Sequence, residues 1–131
     1  MKTRLFLHLV AACFCGVVFA SDPTPNAVTH VDANGAQKLI ESGKVLVLDV
    51  RTQDEFAEGH IAGAKVVDFT ESDFEQKAAA LDRKQAYLVH CAAGGRSTNS
   101  LAVFRKLGFS SIYHLDGGFK AWQKAGKPVA K

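Results

Sequence analysis

The stretch Ala86-Tyr87-Leu88-Val89-His90-Cys91-Ala92-Ala93-Gly94-Gly95-Arg96-Ser97 decides the fold. Residues 86–90 are a short, mostly apolar run of the kind that forms a strand buried on both faces. A loop of two alanines and two glycines follows. Residues 96–107 then carry Leu101, Phe104 and Leu107 at helical spacing, with Gly108 just past the end. Strand, tight loop and helix in that order are one unit of an α/β layout.

The same unit recurs on either side. Residues 28–31 suit a short edge strand. Asp32 is a natural N-cap for a helix carrying Ala36, Leu39 and Ile40, and Gly43 stops it. Residues 45–50 form a second buried strand, Thr52 caps a short helix over 53–58, and Gly59 ends it. A strand over 64–67 and a helix over 71–81, with Phe74, Ala78 and Leu81 on one side, precede the central unit. A strand over 111–115 follows, and Gly118 opens a last helix carrying Phe119 and Trp122. Short connections between alternating strands and helices require a mostly parallel central sheet flanked by helices on both faces, an α/β three-layer fold. The 131 residues allow one such domain.

The N-terminus follows different rules. Lys2 and Arg4 precede an apolar run over residues 5–20, and Val18-Phe19-Ala20 places small residues before Ser21. This is the layout of a secretory signal peptide over 1–20, cut after Ala20, and it predicts export to an oxidising compartment. Asp22, Pro23 and Pro25 make 21–26 an extended tether, leaving 27–131 as the folded domain. The alternative is an uncleaved N-terminal anchor, but the run is short for a hydrocarbon core that needs about 20 residues; after cleavage no stable membrane association is expected. Cleavage removes two of the 16 basic residues and none of the 13 acidic ones, lowering the formal charge from +3 to +1. Scattered lysines and near-neutral charge give no footprint for nucleic acid. Cleavage also removes Cys13 and Cys15. Cys91 is then the lone cysteine of a chain in an oxidising compartment, where thiols usually pair or disappear.

In a parallel α/β sheet, ligands bind outside the carboxyl ends of the strands, where Cys91 stands. The loop from Ala92 to Gly95 lets the backbone curl with its N–H groups inward, and the following helix N-terminus adds partial positive charge. Both favour a thiolate over a thiol. Arg96 is a permanent cation able to fork onto a tetrahedral oxyanion, and Ser97 and Thr98 supply hydroxyls. The plain alternatives are a buried, inert Cys91 and an Arg96 that pairs with a surface acid. An arginine at a helix N-terminus opposes the helix dipole, which argues for an anion nearby.

Three strings now carry a resemblance. LDVRTQDEFAEGHIAGA (48–64), HCAAGGRS (90–97) and LDGGFKAW (115–122) resemble a single-domain rhodanese, a sulfurtransferase, in that family's order and spacing. A short chain with an export signal is similar to the periplasmic bacterial thiosulfate sulfurtransferases. The resemblance implies a rhodanese domain over 27–131 and a cycle through a Cys91 persulfide. A small-molecule sulfur donor such as thiosulfate loads it, and cyanide or a thiol unloads it. It implies that the backbone of Ala92, Ala93, Gly94, Gly95, Arg96 and Ser97 cradles the sulfur and that Arg96 orients the donor. It implies no cofactor and no metal, and a monomer is expected.

Cysteine phosphatases use a related His-Cys-loop-Arg-Ser cradle with a longer loop; the four residues between Cys91 and Arg96 fit a sulfur atom better than a phosphoryl group. The loop departs from the CGSGVT type of mercaptopyruvate-using relatives, and Ala92 stands where some thiosulfate enzymes carry a basic residue. A Cys-based phosphatase or arsenate reductase and a non-catalytic or sulfur-carrier module are the competing readings. Elsewhere, Asp49 and Arg51 are expected to pair, and His60 to bond backbone. His90 and His114 are expected to be packed strand residues. One cysteine and dispersed histidines do not suggest a zinc site.

Overall fold

A computed structural model describes residues 26–131; the expected signal peptide and residues 21–25 of the tether lie outside the described residues. Five strands, β1 (Ala27–Val31), β2 (Leu46–Asp49), β3 (Lys65–Val66), β4 (Tyr87–His90) and β5 (Ser111–Leu115), form one sheet in the order β1-β5-β4-β2-β3. Every pairing is parallel. Five helices alternate with them: α1 (Ala33–Glu41), α2 (Gln53–Glu58), α3 (Phe74–Ala79), α4 (Gly95–Lys106) and α5 (Gly118–Lys124).

The period-two alternation of strand side chains sorts the core into two layers. Leu48, Tyr87, Val89 and Ile112 face one side and meet Phe74 and Ala78 of α3 and Leu101 and Phe104 of α4. Val47, Leu88 and Leu115 face the other and meet Ala33 and Ala36 of α1 and Phe119 and Trp122 of α5. β4, buried at all four positions, is the central strand. Its carboxyl end is therefore walled by neighbouring strands and covered by helices on both faces.

Capping explains most helix boundaries. The Asp32 carboxylate accepts from Gly35 N–H at 2.7 Å and starts α1. Thr52 and Glu55 form a reciprocal capping box at α2. The helix expected over 71–81 is shorter, because local turns consume both ends. Asp68 accepts from the Thr70 N–H and hydroxyl, and Phe74 N–H bonds back to Glu71. At the other end Ala80 and Leu81 make i to i−3 bonds to Lys77 and Ala78. The strand expected over 64–67 contracts to two residues at the sheet edge, although Val67 N–H still bonds Asp49.

Candidate active site

Cys91 leaves the end of β4 pointing to the layer of α3 and α4, with 1% of its surface exposed. The chain then turns through Ala92, Ala93 and Gly94, and α4 begins at Gly95. Gly94 is its N-cap with φ of 113°, a left-handed conformation open to glycine and strained for other residues. Gly94 N–H donates to the Cys91 Sγ at 3.1 Å, and the buried Ser97 Oγ stands 3.3 Å from the same sulfur. Burial by itself pushes the thiol up. The Ser97 hydroxyl, then the N–H groups of Ser97, Gly94 and Ala93, outweigh it and leave Cys91 below its ordinary range.

Of the cradle residues expected from sequence, Ala93, Gly94 and Ser97 thus face the sulfur. Ala92 turns its carbonyl to Lys120 N–H at 2.9 Å, and the Cys91 carbonyl accepts from Phe119 N–H at 2.8 Å. Gly95 opens α4. The Thr98 hydroxyl donates to the Gly94 carbonyl at 2.7 Å and to no sulfur, so it braces the loop instead.

The two bonds to α5 require Gly118. Its φ is 61°, and a Cβ there would lie 2.4 Å from the Cys91 carbonyl oxygen. Gly118→Ala is expected to destabilise the fold by more than ~1 kcal/mol, read as a lower urea midpoint, because strained backbone and steric overlap act together.

Arg96 is half-buried and already paired. Its guanidinium forks onto Glu55 of α2, Nη1 to Oε2 at 2.7 Å and Nη2 to Oε1 at 2.8 Å. The pairing with an acid that stood as the plain alternative is therefore what the fold contains. Sequence reading missed Glu55; its signal was the Thr-x-x-Glu spacing of the capping box. Arg96 holds the Glu55 carboxyl at about 2, against an ordinary 4.5, with burial opposing and the Thr52 N–H and hydroxyl adding to it. A depressed carboxyl stabilises fully above its unfolded value and loses that contribution as pH falls. The stability difference between wild type and Glu55→Gln is expected to be constant above about pH 4.5 and to vanish as pH falls to about 2, measured by urea midpoints across that window.

Beside this pair, Asp49 and Arg51 are buried and joined: Arg51 Nε and Nη2 donate to the carboxylate at 3.0 and 2.7 Å. Arg51 Nη2 also reaches the Gly59 carbonyl, and its guanidinium lies 4.2 Å from the Phe119 ring centroid. A cleft of about 290 Å³ runs between Arg51, Glu55, Glu58, Ala92, Phe119 and Lys120, alongside the cysteine loop.

The histidines divide. His60 bonds the Phe56 carbonyl through Nδ1, as expected. His90 is fully buried on the face opposite Cys91, with Nδ1 3.1 Å from the Cys91 carbonyl and burial pushing its pKa down. It is a packed histidine. His114 is buried too, but it does more than pack. The fold brings His30, His114 and Asp116 together, with ring and carboxylate atoms within 4.8 Å. The Asp116 Oδ1 lies 2.7 Å from His30 Nδ1 and 2.9 Å from His114 Nδ1, while His114 Nε2 lies 2.8 Å from the Ser97 Oγ.

Comparison with known proteins bears on the chain as a whole. The family model of the rhodanese-like domain matches residues 32–125. The thiosulfate sulfurtransferase GlpE of Pseudomonas aeruginosa is 37% identical over 100 residues, covering 76% of this chain and 80% of that protein. The thiosulfate sulfurtransferase GlpE of Pseudomonas fluorescens is 42% identical over 89 residues, covering 67% and 78%. Among solved structures, a rhodanese-related protein of Thermoplasma volcanium superposes with a TM-score of 0.70 at 30% identity, covering 78% of this chain and 97% of that one.

Proposed function

The chain belongs to the rhodanese-like domain family, and on that premise we propose that this sulfurtransferase carries a sulfane sulfur from thiosulfate to cyanide or a thiol through a persulfide on Cys91. The observation that carries the reading is the sulfur itself. Cys91 Sγ sits at the carboxyl end of the central strand, within reach of the Gly94 N–H and the Ser97 hydroxyl at the start of α4.

In the first half-reaction the Cys91 thiolate attacks the outer sulfur of thiosulfate. A sulfur–sulfur bond forms on Cys91, the bond within the donor breaks, and sulfite leaves with its electron pair. The persulfide anion is as negative as the thiolate was, so donors already aimed at Cys91 can serve it without rearrangement. In the second half-reaction the acceptor attacks the outer sulfur, and Cys91 departs as thiolate. Cyanide becomes thiocyanate, and a thiolate acceptor becomes a persulfide. The charges and electron pairs balance in both halves.

Arg96 positions the donor. A guanidinium has five N–H donors, and Glu55 engages two of them, so the rest remain to orient the sulfonate oxygens. Glu55 fixes the fork in place before the donor arrives. The cleft lined by Arg51, Phe119 and Lys120 beside Ala92 is the approach for donor and acceptor.

The same reading has the protein exported and cut after Ala20, leaving Ser21 as the first residue of the mature form. Intact-mass analysis of the exported protein after incubation with thiosulfate checks both points together. The expected result is loss of residues 1–20 and a gain of about 32 Da, one sulfur atom, on the peptide that contains Cys91. Subsequent cyanide should remove that mass and release thiocyanate. No sulfur adduct and no thiocyanate would sink the reading.

A further inference from the structure

Behind Cys91 runs a continuous chain of hydrogen-bonding groups that sulfur transfer as derived above does not use. Ser97 Oγ is 3.3 Å from Cys91 Sγ and 2.8 Å from His114 Nε2, and His114 Nδ1 is 2.9 Å from Asp116 Oδ1. Ser97 and His114 are buried, at 0% and 2% exposure, while Asp116 reaches solvent. We propose that this chain is a proton relay that moves the Cys91 thiol proton through the Ser97 hydroxyl to His114, which Asp116 holds in the accepting tautomer.

The directions follow from the donor inventory. An ionised carboxylate only accepts, so His114 Nδ1 carries the hydrogen toward Asp116 and neutral His114 presents a bare Nε2. The Ser97 hydroxyl then donates to Nε2, and its lone pairs are free to accept the Cys91 S–H. Ionisation transfers two protons in step. The S–H bond breaks as a new O–H bond forms on Ser97, and the old O–H bond breaks as Nε2–H forms on His114. The products are a thiolate and an imidazolium. The bonds from Cys91 to Ser97 and from Ser97 to His114 have reversed, the Ser97 hydroxyl now donating to the sulfur, while His114 Nδ1–H still donates to Asp116, and no atom leaves the site.

His114 never touches the sulfur. It is a positioning residue that sets the protonation of the nucleophile from the neighbouring strand β5, on the same face of the sheet as Cys91, leaving the loop side of Cys91 to the donor. The groups facing this chain are His30 from β1, whose ring lies 5.1 Å from that of His114, and Asp116 just after β5; His90 of β4, on the opposite face, is coupled to His114 only through its charge. Arg96 of α4 also feels the Cys91 charge. Asp116 offsets the new imidazolium, while His30 on the same carboxylate oxygen competes with it. The inference rests on the reading of Cys91 as nucleophile, and not on thiosulfate as donor.

The test is an NMR titration of the Cys91 ¹³Cβ in the full chain, assigned by comparison with Cys91→Ser. His114→Gln keeps a side chain able to bond Ser97 and removes only the site that takes the proton. It is expected to raise the Cys91 midpoint by about one pH unit or more, a tenfold or greater loss of acidity. Asp116→Asn, at an exposed position with little risk to folding, should shift it in the same direction by less. A midpoint unmoved in both variants overturns the relay, since a purely structural role for His114 predicts that result. The titration is independent of turnover. A shifted midpoint in a protein that takes no sulfur from thiosulfate supports the relay while the donor reading fails. An unmoved midpoint in a protein that does take sulfur has the opposite meaning.

Discussion

Serine at position 91 is expected to abolish sulfur transfer while leaving the fold in place. The Gly94 N–H and the Ser97 hydroxyl would meet an oxygen where they now meet sulfur, so their bonds survive and stability changes by about 1 kcal/mol or less. The chemistry does not survive. A hydroxyl is not ionised near neutral pH and cannot hold a transferable outer sulfur as a persulfide does. Loss of a covalent nucleophile costs on the order of 10⁴- to 10⁶-fold in turnover. Thiocyanate formation from thiosulfate and cyanide, measured beside urea denaturation of the same sample, checks both halves. Turnover within tenfold of wild type would place the reacting sulfur elsewhere.

Arg51→Met is expected to be the most damaging single change to the fold near the site. Asp49 is fully buried, and three of its contacts come from the Arg51 side chain, two from Nε and one from Nη2. Methionine keeps apolar bulk against Phe119 but leaves the Asp49 carboxylate buried without its cation. Breaking a buried pair in this way costs about 3–5 kcal/mol, a large part of a domain stability of about 5–15 kcal/mol. The Gly59 carbonyl loses its donor as well. The urea midpoint should fall accordingly, and Asp49→Asn combined with Arg51→Met should recover part of the loss, because no charge is then stranded. A double variant no more stable than Arg51→Met would show that packing on Phe119 carries the energy, not charge pairing.

The elements themselves were legible in the chain. Runs such as 45–50 and 86–90 are apolar throughout because a parallel strand here is covered on both faces. Asp32, Thr52 and Gly118 mark helix starts through local chemistry alone. Where the reading failed, at 71–81, short-range hydrogen bonds from Asp68 and i to i−3 bonds at Ala80 and Leu81 competed with a helical pattern that looked continuous.

The site divides in the same way. The sequence alone singled out Cys91 as the candidate nucleophile, because a cysteine at the end of a buried strand, followed by four small residues and Arg96, is a local pattern that backbone geometry turns into a cradle. Only the tertiary structure decided the partners. Glu55 is 41 residues from Arg96, and Asp116 is 86 from His30. Which acid meets which base depends on strand order, and strand order is set by how whole layers bury apolar surface, which no local spacing encodes. The link from Ser97 to His114 has the same origin. β5 lies beside β4, so alternate residues of β5 reach the back of the cysteine loop, and His114 falls on the inward side.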